Sequence, residues 1–152
     1  DARVPAPGRA HRDLLHRLVQ HGMQFARVEP GAGIAGGTGI GSLQAVKDSG
    51  KLAVGVDSDQ AAIFAASDAA QADVIFTSVL KKVGHSLVLA LQGTLDGTAP
   101  YGQGQLLGLK DGAVGIAKNE WYEKLVPADV RAEVDALEAK IVAGELEVKT
   151  DM

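Results

Sequence analysis

The chain has 152 residues, enough for one domain with a sizeable core. Its net charge is −4, with acidic and basic side chains interspersed, which argues against a reader of nucleic-acid backbones. It contains no cysteine, so disulfides, thiolate-bound zinc and a cysteine nucleophile are excluded.

Aromatic residues make up only 4%, which predicts an aliphatic core of Ala, Val, Leu and Ile. No apolar run approaches the length needed to span a bilayer. Residues 1–8 carry two prolines and read as an irregular lead-in. Leu14, Leu15, Leu18 and Val19 repeat at helical spacing over 10–20, and Gly22 stops that helix. His11, His16 and His21 lie five apart along it, a spacing that suits a solvated face and not a metal site. Residues 24–28 read as a short strand, followed by the glycine-rich GAGIAGGTGIG. A helix is predicted over 42–49, ended by Gly50, and a strand over 52–56, apolar as in parallel strands buried on both faces. Residues 61–70 are alanine-rich and partly helical, and 74–77 make a second buried strand.

A long helix is predicted over 78–95, capped at Thr77 or Ser78. Strands over 106–109 and 113–117 flank a Lys110-Asp111-Gly112 turn. The last helix starts at Pro127, carries Val130, Val134, Leu137 and Ile141 as one stripe, and ends at Gly144. Trp121 and Tyr122 precede it and cover its end, and 146–148 read as a final short strand. Strands alternating with helices predict an α/β fold with a mainly parallel sheet.

In such sheets small molecules bind where strands end. Three segments place polar groups there: the glycine loop, Asp57-Ser58-Asp59-Gln60, and Thr77-Ser78 with Lys81 beyond. Gly31, Gly33 and Gly36 form a literal GxGxxG, with Asp57 at a strand end downstream, which is the spacing of a dinucleotide fingerprint. That fingerprint needs a hydrophobic strand running into its first glycine, and Arg27-Val28-Glu29-Pro30 is a poor one. Asp57 is favoured as a ligand contact, because one carboxylate can accept the two adjacent hydroxyls of a ribose. Asp59 divides evenly between ligand contact and helix cap before Ala61. Lys82 reads as solvated, and His85, alone on an apolar helix, is assigned no chemistry. There is no Gly-x-Ser-x-Gly elbow and no HExxH, so catalysis finds little support, and no cofactor or metal is expected.

AGGTG (35–39), VGVDSDQ (54–60), TSVLKK (77–82), GLKDGAVGIA (108–117) and IVAGELEV (141–148) occur in one order. In this order they resemble the basic membrane protein family, substrate-binding lipoproteins of ABC transporters that include purine nucleoside receptors. The resemblance implies a type I periplasmic-binding-protein-like architecture of two lobes, of which this chain holds the C-terminal part. It implies a nucleoside ligand, probed by backbone amides near Gly36 and Gly37, an aspartate of the VGVDSDQ motif on the sugar, and Lys81 facing the cleft. It also implies an ABC permease as partner and lipid anchoring on the extracytoplasmic face of the cell membrane, the anchor lying outside these residues. The expected organisation is a divergent or truncated segment over 1–33 and a second-lobe core over 34–77. A hinge-crossing first-lobe helix over 78–105 and return strands with the C-terminal helix over 106–152 complete it. Two other functions are carried: an NAD(P)-dependent enzyme built on the glycine loop, and a remnant without ligand affinity.

Overall fold

A computed structural model describes residues 36–148. The predicted helix over 10–20, its histidines, the strand over 24–28 and residues 31–35 of the glycine loop lie outside the described residues. The elements run α1 (Gly36–Asp48), β1 (Ala53–Asp57), α2 (Gln60–Ala65), α3 (Ala69–Ala72), β2 (Ile75–Lys81), α4 (Val83–Leu95), β3 (Val114–Ile116), α5 (Glu120–Leu125) and α6 (Ala128–Ala143). The three strands form one sheet in the order β1-β2-β3. β1 and β2 are parallel, with Asp57 opposite Leu80, and β3 is antiparallel to β2, with Lys81 opposite Val114. The crossover between the parallel strands is α2–α3, as the alternation of elements predicts.

Two apolar clusters hold the sheet. Val46, Ala53, Ala61 and Ile75 pack with Leu43, Phe64, Val74 and Trp121 beside β1. Phe76, Tyr122, Val126 and Val130 pack with Leu52, Ile116 and Leu125 beside β2. The core is largely aliphatic, as composition predicts: among the described residues, all the buried apolar side chains but Phe76 and Tyr122 are Ala, Val or Ile. Phe76 and Tyr122 are buried, Phe64 and Trp121 are half-buried, and Tyr101 is exposed. Burial on both faces of β1 fails in part: Val54 is 44% exposed, so one face of this strand is open. At Gly55 a side chain does not fit. A Cβ there would collide with Ser78 Oγ and lie 2.7 Å from Gln60 Cβ. Gly55→Ala is expected to destabilise the fold by about 1–3 kcal/mol through overpacking. Thermal denaturation followed by circular dichroism checks this, and an unchanged midpoint would contradict it.

Several predicted elements are corrected. The strand predicted over 74–77 continues to Lys81, because β1 pairs with it as far as Leu80 and β3 pairs with Val79 to Lys81 on its other edge. Thr77 and Ser78 are therefore strand residues and not caps. The Thr77 hydroxyl donates to Ala117 O at 2.8 Å, and the buried Ser78 hydroxyl accepts from Gln60 N at 3.0 Å. The following helix starts at Val83, with Lys82 at its cap position. α1 begins at Gly36, six residues before the predicted start at 42. Residues 106–108 are irregular and 109–112 form the turn, so only the second return strand exists, shortened to Val114–Ile116. Residues 146–148 form no strand.

α5 escaped prediction: Asn119 caps it, accepting from Tyr122 N at 3.0 Å. Pro127 and Gly144 delimit α6 as expected, Gly144 in the left-handed region at φ 76°. Lys118 anchors that helix, its ammonium 2.6 Å from Asp135 Oδ1 and 2.5 Å from Glu138 Oε2. These two hydrogen bonds, first to Asp135 and then to Glu138, hold its pKa above the ordinary lysine value.

α4 differs from every other long element. None of its residues is buried. Val83, Leu87, Leu91 and Leu95 stand 52%, 60%, 65% and 81% exposed.

Candidate functional site

The carboxyl ends of β1 and β2 lie side by side because the strands are parallel. Each ends in a charged residue. Lys81 Nζ lies 2.9 Å from Asp57 Oδ1, and both side chains are exposed. An exposed pair of this kind contributes about 0–1 kcal/mol to stability, so stability does not explain its placement.

Asp57 is the single non-glycine residue with positive φ among the described residues, at 68°. Ser58 N donates to Val56 O at 2.8 Å, across Asp57. Asp57 is thus the central residue of a γ-turn in its rarer, positive-φ form. Such a backbone costs on the order of 1–3 kcal/mol and persists only where the surroundings hold it. Aspartate tolerates this region better than most side chains. The turn lifts the carboxylate off the strand line and towards Lys81.

The next residues are tied down. Asp59 is the N-cap of α2, with Oδ1 accepting from Ala62 N at 3.2 Å. Its Oδ1 and Oδ2 also accept from Asn119 Nδ2, at 2.8 and 2.9 Å. The cap reading of Asp59 is therefore present in the structure, and both its oxygens have partners within the protein. Gln60 Nε2 donates to Val56 O at 3.1 Å, closing the turn from the other side. At the α2 N-terminus the amides of Gln60 and Ala62 are taken by Ser78 and Asp59, and Asp57 is the exposed carboxylate of the motif.

Gly36 and Gly37 are the first two residues of α1. Gly31 and Gly33 of the GxGxxG lie outside the described residues. Lys81 is the last residue of β2, not a helical residue, and this end-of-strand position is what brings it to Asp57. Lys82 is exposed and makes no side-chain cap. His85 Nε2 is 3.0 Å from Asp111 O and pins the start of α4 to the 109–112 turn. Trp121 donates from Nε1 to Asp73 Oδ1 at 3.1 Å. Tyr122 is buried within its cluster, and that burial raises its pKa above the ordinary phenol value.

Residue-by-residue reading did not single out Asn119, and it named Gln60 and Ser78 without the contact between them. An asparagine before an acidic first turn is a helix-start signal, and Glu120 and Glu123 supply that turn, so Asn119 was within reach. Ser78 and Gln60 act through a cross-strand contact that no local pattern encodes. Among the described residues no cluster of three or more His, Cys, Asp or Glu could hold a metal ion. No helix among them is long and apolar enough to cross a membrane. An open hollow of about 410 Å³ lies between α4 and residues 98–105, with Leu89, Thr94, Pro100 and Tyr101 in its lining. It includes neither Asp57 nor Lys81 and no charged side chain, so the site is placed at the strand ends.

Comparison with known proteins follows this geometry. Residues 24–152 match the family described as ABC transporter substrate-binding protein PnrA-like. Basic membrane protein A of Borreliella afzelii is 38% identical over 141 residues, covering 90% of this chain and 38% of that protein. Basic membrane protein A1 of Borrelia garinii subsp. bavariensis is 36% identical over 141 residues, covering 90% and 37%. The chain thus spans under two fifths of the length of these relatives. A solved structure of a transcriptional activator of the comK gene from Bacillus halodurans superposes with a TM-score of 0.58 at 23% identity. It covers 74% of this chain and 37% of that one, and the likeness concerns the fold alone. By the match over most of its length, and with a mainly parallel sheet flanked by helices, the chain belongs to the PnrA-like family of ABC transporter substrate-binding proteins.

Proposed function

We propose that this chain binds a nucleoside, a purine nucleoside in particular, without catalysis, as part of the extracytoplasmic substrate-binding component of an ABC importer. The observation that carries the reading is the pairing of Asp57, held in a positive-φ γ-turn, with Lys81 at the ends of adjacent parallel strands. An ionised carboxylate only accepts hydrogen bonds, and its two oxygens match the adjacent hydroxyls of a ribose. The Lys81 ammonium has three donors, so it can keep Asp57 and still donate to a ligand oxygen or ring nitrogen. Backbone amides at Gly36 and Gly37 are proposed as further donors, and Asp59 as support for the turn.

In this reading the second lobe runs on through β2 to Lys81, past the expected boundary at 77, and the helix that follows belongs to the first lobe. The absence of any buried residue on α4 supports that division, because a helix built for another lobe has no partner here. Closure of two lobes over the ligand would shift a hinge equilibrium that an ABC permease reads. A lipid anchor holding the receptor at the outer face of the membrane belongs to the same proposal.

Lys81→Ala should weaken nucleoside binding about tenfold or more, as expected for a lost hydrogen bond to a charged group. Lys82→Ala, one residue further on, should leave it within about twofold. Equilibrium titration of both variants decides between them, and equal effects of the two would remove Lys81 from the site.

A further inference from the structure

The strained turn at Asp57 needs restraint from outside itself, and Asn119 is placed to provide it. Asn119 lies 60 residues from Asp59 in sequence and contacts two helix starts at once. Its Oδ1 accepts from Tyr122 N and caps α5. Its Nδ2 donates to both oxygens of Asp59, the cap of α2. Only one orientation of the amide satisfies both contacts, since a carboxylate can only accept and an N–H can only donate.

Asn119 itself is held by the sheet. Ala117 N donates to Ser78 O at 2.9 Å, and Ala117 O accepts from the Thr77 hydroxyl. The segment following β3 is therefore strapped to β2 two residues before Asn119. From that fixed point Asn119 reaches Asp59, the residue that follows the γ-turn of Val56, Asp57 and Ser58. We propose that Asn119 is a positioning residue for ligand binding: by clamping Asp59 it holds the turn that presents Asp57. This rests on the reading of Asp57 as the ligand carboxylate. The clamp is independent of ligand competition. Hydroxyls entering the site would compete with Lys81 for Asp57, whereas the bonds between Asn119 and Asp59 stay outside that exchange.

The test uses the whole chain, with Asn119→Ser and Asn119→Asp. Both keep a capping oxygen for α5, so its stability is retained. Serine loses the double donation to Asp59, and aspartate opposes it with like charge. Amide hydrogen exchange is read at Ser58 in the turn, at Gln60 just past Asp59 and at Tyr122 in α5, alongside binding of a purine nucleoside. The expected result is exchange faster by about tenfold at Ser58 and Gln60 with Tyr122 unchanged, and nucleoside binding weakened by a similar factor. Unchanged exchange at Ser58 and Gln60 in both variants would overturn the clamp. Loosened exchange with full nucleoside affinity would overturn its role in binding. If the parent chain binds no nucleoside while exchange still loosens, the clamp stands and the nucleoside reading falls.

Discussion

Replacing Asp57 is expected to weaken nucleoside binding by at least about a hundredfold. Two charge-assisted hydrogen bonds are lost, each worth on the order of 1.5–3 kcal/mol. Every 1.4 kcal/mol is about tenfold in affinity. The fold should survive, because Asp57 is exposed and belongs to neither apolar cluster. Alanine alone is an ambiguous substitute, since it is less at ease than aspartate at φ 68°. Asp57→Gly removes the carboxylate while relieving the backbone, and Asp57→Asn keeps the conformational tolerance with one acceptor oxygen in place of two. The predicted order of affinity is Asp, then Asn, then Gly and Ala. If Asp57→Gly binds as tightly as the parent in calorimetric titration, the carboxylate is not a ligand contact.

The second large effect concerns α4. Val83, Leu87, Leu91 and Leu95 recur every four residues and are all more than half exposed. Burying a side chain of this size gains about 1.5–3 kcal/mol, and a contiguous apolar patch marks a surface for association. The isolated 152-residue chain is expected to self-associate through this helix as its concentration rises. Leu87→Glu combined with Leu91→Glu should return it to a monomer, with little loss of stability because neither side chain is buried. Sedimentation velocity over a concentration series reads both outcomes. A parent chain that stays monomeric throughout would contradict the prediction.

Much of this was legible in the residues, and the exceptions share a cause. β1 was readable because an apolar run stops at a carboxylate, and α6 because Pro127 and Gly144 bracket a helical stripe. The extension of β2 to Lys81 was not readable. Thr77 and Ser78 have the chemistry of caps, but pairing with β1 makes them strand, and pairing with β3, more than thirty residues later, carries the strand on from Val79 to Lys81. That pairing also moves Lys81 from a helix face to a strand end. The contact between Lys81 and Asp57 then depends on the parallel register, a long-range property with no local signature. The positive φ at Asp57 is equally hidden, since aspartate accepts ordinary backbone conformations as well.

The most direct measurement is a titration of the isotopically labelled chain followed by nuclear magnetic resonance. A purine ribonucleoside is compared with its 2′,3′-dideoxy counterpart, which has the same base and lacks both hydroxyls. The account predicts that the ribonucleoside shifts the resonances of Asp57, Ser58 and Lys81, even where binding is weak. The dideoxy compound should leave them nearly unmoved at the same concentration. Equal shifts from both compounds, or shifts at this edge from NAD and from neither nucleoside, would contradict it.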